Sequence, residues 1–160
     1  MKKCIYQKLD GYKYRNYPLD KDGNPCDWAE YETPFRPDVL LATPTKDERG
    51  VALDPMIYLN PDGRLLIKKG YAWDGASGPT WDSPCTMRGS LIHDALYQLM
   101  RAGLLSQSSR PMADKVLEDV CREDGMWALR AKTWFAAVRL AGSFGAKLGP
   151  EKQLRVYTAP

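Results

Sequence analysis

Residues 56–68, MIYLNPDGRLLIK, place two short apolar runs on either side of Asn60-Pro61-Asp62-Gly63. Proline and glycine stand where a tight turn wants a preset φ and a left-handed residue, so the segment predicts a β-hairpin with strands Met56–Leu59 and Leu65–Lys68. A hairpin cannot bury its apolar face alone, and something else in the chain must cover it. Upstream, Asp38–Pro44 (DVLLATP) reads as a further short strand stopped by proline.

Downstream the period changes. TMRGSLIHDALYQLMRAG opens a helix after Pro84 that closes at Gly103, and SRPMADKVLEDVCREDG a second, with Ser109 as N-cap, Pro111 in the first turn and Gly125 at the end. A third is expected over MWALRAKTWFAAVRLAGSFGAKLG. Its apolar positions, Leu129, Phe135, Ala136, Val138 and Leu140, cover more than one face, as for a helix buried against two neighbours or against a partner. Strands first and helices afterwards predict an α+β fold, with a small antiparallel sheet in the N-terminal half packed against about three C-terminal helices. The expected layout is one domain of 160 residues. Residues 1–54 are an irregular Pro/Tyr-rich arm with the first strands, 55–150 the α+β core, and 151–160 a C-terminal tail.

The net charge is only +3 and the basic residues are not clustered, which argues against nucleic-acid binding. No stretch approaches the roughly 20 apolar residues of a membrane span. MKKCIYQKLDGYKY lacks the apolar run of a signal peptide, so a cytoplasmic site of synthesis is expected. Cys4, Cys26, Cys85 and Cys121 are widely and irregularly spaced, and free structural thiols are expected rather than a zinc ribbon. Asp20, Asp22 and Asn24 alternate like the start of a calcium loop, but Pro25 stands where that loop needs glycine and Tyr31 where it needs glutamate. They read as a solvated turn.

The only histidine, His93, lies in the densest polar and glycine-rich segment, Gly70–Met100. On a helix, His93 and Tyr97 share a face, and Asp94 flanks it one step around. The surrounding Leu91, Ile92, Ala95, Leu96 and Leu99 put His93 at the border of a buried face. Asp74 and Ser77, in the loop leading to this helix, could face it, and Asp114 sits near the start of the next helix, where the dipole favours a carboxylate.

Three chemistries fit. In the first, His93 is an acid–base group oriented by Asp74 or Asp114, with Ser77 as nucleophile, although GASGP is not a nucleophile elbow. In the second, His93, Asp94 and Asp114 or Asp74 hold Mg or Mn; a single imidazole is poor for zinc, and no cofactor is otherwise expected. In the third the cluster is a satisfied structural network: His93 donates to a carboxylate, Tyr97 caps a loop and Asp74 caps the turn at Gly75.

The segments WDGASGP (Trp73–Pro79), GSLIHDALY (Gly89–Tyr97), MADKVL (Met112–Leu117) and FAAVRLAG (Phe135–Gly142) occur in this order. Together they resemble an uncharacterised family, a domain of unknown function found mainly in tailed bacteriophages and prophages, with Asp-x-Ala-Ser-x-Pro and His-Asp-x-Leu-Tyr motifs. The likeness covers roughly residues 58–145. It implies a phage origin, a place in the host cytoplasm or the virion, and Asp74, Ser77, His93, Asp94, Tyr97 and Asp114 as characteristic polar positions. It implies no reaction.

Two function classes follow. One is a small hydrolase acting on a cell-envelope or nucleotide substrate, with catalytic His93, Asp74, Asp114 and Ser77 and a pocket lined also by Trp73, Asp94 and Tyr97. The other is a non-enzymatic tail or virion component, or a binding module, whose partners are other virion proteins or a second copy. Five tryptophans, nine tyrosines and the arm residues Trp28, Tyr31 and Phe35 suit contact surfaces.

Overall fold

The computed structural model describes residues 4–8, 14–46, 50–76 and 82–141. Its centre is the expected hairpin. Strand β7 (Ile57–Leu59) pairs antiparallel with β8 (Arg64–Lys68), Ile57 opposite Ile67 and Leu59 opposite Leu65. These four side chains are fully buried, while Tyr58 and Leu66, on the other face, are half-buried. Gly63 closes the turn at φ +87°, where a side chain would be strained and its Cβ would also stand 2.5 Å from the Thr33 carbonyl oxygen.

Hydrophobic alternation extends this sheet on both sides. β3 (Trp28–Glu32) pairs with β8, setting Ala29 against Ile67 and Tyr31 against Leu65. β4 (Leu41–Ala42) pairs with β7 on the far edge. The sheet order is therefore β3-β8-β7-β4. Residues 28–32, read from sequence as part of an irregular arm, are thus a regular strand. Their five-residue alternation is easily overlooked, and the strand exists because β8 offers it an unpaired edge.

Among the described residues the strands form three antiparallel sheets rather than one. A second sheet runs β1 (Tyr6–Lys8), β2 (Tyr14–Asn16) and β9 (Ala72–Trp73), and β5 (Thr45–Lys46) pairs with β6 (Ala52–Leu53) as a separate ribbon. Asn16 joins the first two sheets. Its backbone N–H donates to the Tyr71 carbonyl (2.8 Å) and its buried side-chain amide to the carbonyls of Ile67 (3.0 Å) and Lys68 (3.2 Å).

Three helices follow: α1 (Pro84–Arg101), α2 (Arg110–Glu123) and α3 (Ala128–Ala141). The architecture is α+β, as expected, and α1 and α2 run close to the bounds legible in the sequence, while residues 142–149 of the expected third helix lie outside the described residues. The Ser83 N–H donates to Thr86 Oγ1 at 2.9 Å ahead of α1, and Gly103, at φ +72°, ends it. α1 is the central element: Leu91, Ile92, Ala95, Leu96 and Leu99 share one core with Ile57, Leu59, Leu65 and Ile67. Its other side takes α2 so closely at Gly89 that a Cβ there would stand 2.5 Å from Cys121 Sγ and 3.2 Å from the Leu117 carbonyl oxygen. α3 adds Ala131 and Trp134 to a smaller core with Leu117, Cys121 and Met126. The buried Arg88 of α1 reaches Glu123 (2.8 Å) and Asp124 (2.9 Å) at the end of α2.

Candidate functional site

The polar side chains predicted to matter converge where the three helices meet. From α1, His93 Nε2 lies 3.0 Å from Asp114 Oδ1, and the Tyr97 hydroxyl donates to the same oxygen at 2.6 Å. Helical spacing brings these two rings together, tilted by 38°, with centroids 4.0 Å apart. From α2, Arg110 Nε donates to the Tyr97 hydroxyl (3.1 Å) and lies 3.8 Å from Asp114 Oδ2. From α3, Arg139 Nη1 reaches Asp114 Oδ2 at 3.4 Å. A second arm of Arg110 donates to the backbone carbonyls of Val138 and Arg139, fastening α2 to α3.

Asp114 is thus the hub. It is 0% exposed, and both its oxygens are engaged by side chains from three helices. A carboxylate only accepts hydrogen bonds, so His93 Nε2 carries the proton in this pair. His93 is 8% exposed, more deeply buried than its expected place at the border of an apolar face. Its other ring nitrogen, Nδ1, faces Asp94 Oδ1 at 3.7 Å, beyond hydrogen-bond length, and the Asp94 side chain is partly exposed.

Burial alone would push the His93 imidazole down, but the Asp114 and Asp94 carboxylates outweigh it and hold the imidazole above its ordinary value. Burial would likewise raise Asp114, but hydrogen bonds from His93 and Tyr97 and the nearby positive charges hold it below the usual carboxylate value. Tyr97 is raised, first by burial and then by its bond to Asp114. The pair therefore acts as an ion pair between two titrations. The stability from His93 is fully present below about pH 6.5 and is lost as pH rises through its raised value. The stability from Asp114 is present above about pH 3.9 and is lost as pH falls through its lowered value. Urea midpoints are accordingly expected to be higher near about pH 5.5 than near about pH 8.5, and His93→Gln should remove the alkaline decline. A wild-type midpoint that rises with pH across this range would contradict the ion pair.

The other candidates go elsewhere. Trp73 is buried in the second sheet, its ring against Tyr14 (5.6 Å) and Tyr6 (6.0 Å) and its Nε1–H donating to Ser90 Oγ at 3.1 Å. Asp74 is exposed just past β9, and His93 takes Asp114 as its orienting carboxylate. The turn at Gly75 is held by Asp82, whose carboxylate accepts from the Ala76 N–H (2.7 Å) and the Tyr14 hydroxyl (3.0 Å). Tyr97 bonds Asp114 rather than capping a loop. Ser77 lies outside the described residues. Among the described residues no three His, Cys, Asp or Glu side chains converge as metal ligands would. No helix among them is long and apolar enough to cross a membrane.

Arg110 and Arg139 were not singled out from sequence. Arg110 had a signal, since it stands four residues before Asp114 on one helix. Arg139 lies within the FAAVRLAG segment, but only the packing of α3 brings it to α2. The arm residues expected to dock on a neighbour are used internally. Tyr31 and Phe35 are buried in the sheet core, and Trp28 packs against Tyr58 with Lys68 over its ring.

No curated protein and no solved structure matches the chain significantly. Residues 51–138, from β6 through most of α3, match the model of a family described as "Protein of unknown function (DUF1353)". That span is more than half of the 160 residues and holds His93, Tyr97, Arg110 and Asp114 together, so the chain belongs to the DUF1353 family, an uncharacterised one as its motifs led us to expect.

Proposed function

We propose that this protein is a phage- or prophage-encoded component that works by binding rather than by catalysis, with the His93–Asp114 cluster as an internal clamp. One observation carries this reading: Asp114 is completely buried and both its oxygens are engaged by the chain's own side chains. A catalytic imidazole needs a ring nitrogen open to substrate, and His93 is only 8% exposed. Asp114 spends its oxygens on side chains from three helices. Large apolar side chains remain outside, notably Trp127 (71% exposed) and Leu129 (59%) at the start of α3, and Val39 and Leu40 ahead of β4. Of these, Trp127 is of the residue type that most often anchors a protein–protein contact, which supports a binding role in a virion or tail assembly.

A hydrolase is the second reading, and one feature favours it. His93 is oriented by a buried carboxylate through Nε2, while Nδ1 points to the partly exposed Asp94. The test compares wild type with His93→Gln, in urea melts and against chromogenic ester, amide, phosphodiester and glycoside substrates. Binding predicts a stability loss of about 1–3 kcal/mol and no turnover that distinguishes the two proteins. Turnover by wild type that disappears in a stably folded His93→Gln would establish the hydrolase instead.

A further inference from the structure

Cys85 and Cys121 lie together in the smaller core, away from the His93 cluster. Cys85 is the second residue of α1 and is half-buried. Its Sγ stands 3.2 Å from Ser83 Oγ and 3.9 Å from Nη1 of Arg130, which α3 brings in. The first turn of α1 contains no acidic residue. A guanidinium and a hydroxyl thus stand against the sulfur, and of the two thiols Cys85 is the one that solvent reaches. Cys121 is fully buried, and burial pushes its thiol up to about 12, so it remains protonated. Its Sγ fills the space left by the missing side chain of Gly89. Cys85 and Gly89 are one turn apart on the same face of α1, with Cβ positions roughly 5–6 Å apart. The Cys121 sulfur therefore lies over the face that carries Cys85. The other thiols are committed elsewhere: Cys26 Sγ donates to the Trp28 carbonyl at 3.4 Å, and Cys4 lies by the Tyr31 hydroxyl.

We propose that Cys85 and Cys121 are a peroxide-reactive thiol pair, Cys85 attacking and Cys121 resolving, which closes to a disulfide between the first turn of α1 and the last turn of α2. The Cys85 sulfur attacks one peroxide oxygen, the O–O bond breaks, and the leaving oxygen departs as water after protonation. Cys85 is then a sulfenic acid. The Cys121 sulfur attacks that sulfur, an S–S bond forms, the S–O bond breaks, and a second water leaves with the Cys121 proton. Two thiols lose two electrons and two protons, and hydrogen peroxide is reduced to two waters. The missing side chain at Gly89 lets the Cys121 sulfur approach α1, and Arg130 and Ser83 flank Cys85 at the surface of the cluster. This chemistry is independent of what the protein binds.

The test treats the full chain with hydrogen peroxide and maps cysteine-containing peptides by mass spectrometry. The expected product has lost two hydrogens and joins the Cys85 peptide to the Cys121 peptide. Cys85→Ser should abolish it. Cys121→Ala should stop the reaction at a Cys85 sulfenic acid that dimedone captures, and this capture needs only a folded N-terminal turn of α1, checked by the melting curve. A product that links other cysteines, or Cys85 left as a free thiol while Cys26 is oxidised, would overturn the proposal.

Discussion

Replacing Asp114 with alanine is expected to lower the unfolding free energy by about 3–5 kcal/mol, the scale for removing one partner of a buried charge pair. For a chain of this length that is a fall in Tm on the order of 10 °C. The loss would be large because one carboxylate serves several donors. Without it, His93 Nε2 and the Tyr97 hydroxyl lose their acceptor, and Arg110 and Arg139 face each other with no negative charge between them. Asp114→Asn retains one acceptor oxygen and the shape, and should cost less than alanine. Differential scanning calorimetry of the three proteins near pH 6 measures both. If Asp114→Ala melts with wild type, the cluster is not what joins the helices, and the clamp at the heart of the binding reading is wrong.

The second large effect is expected at Trp73. Trp73→Ala should destabilise by about 3–5 kcal/mol, the range for emptying the space of a buried large aromatic. The side chain is 2% exposed, packs edge-on against Tyr6 and tilted against Tyr14, and ties β9 to α1 through Ser90. Trp73→Phe should recover most of the loss, leaving about 1 kcal/mol for the missing hydrogen bond. Equilibrium urea unfolding followed by far-ultraviolet circular dichroism would resolve these steps. A Trp73 that lined a ligand pocket would behave in the opposite way, with alanine nearly neutral for stability and costly for binding.

Both predictions concern residues visible in the sequence, but their roles were visible to different degrees. His93, Tyr97 and Asp114 could be grouped because helical spacing is regular: two residues four apart share a face whatever the rest of the chain does. The choice between Asp74 and Asp114 as the partner of His93 could not be made that way. Asp74 is nearer in sequence and sits in a loop leading to the helix, whereas Asp114 arrives only when α2 packs on α1 at Gly89. Trp73 was read as lining a pocket with His93 and Tyr97. The pairing of β2 with β9 sets Tyr14 opposite it instead and covers it.

The sequence by itself determined the local structure: the turn at Asn60–Gly63, the strands on either side, the proline and glycine bounds of α1 and α2, and the α+β order. Each of these rests on interactions within a few residues, namely φ preferences, caps and the periodicity of apolar side chains. Tertiary structure alone decided that residues 28–32 complete the main sheet, that Asn16 couples two sheets, and that Arg110 and Arg139 join the His93–Asp114 pair. Those contacts link residues far apart in the chain, and whether a buried charge finds its partner depends on which helix faces come together. A charged side chain looks the same in the sequence whether it will meet water or a carboxylate, and burial, set by the packing of the whole chain, separates the two.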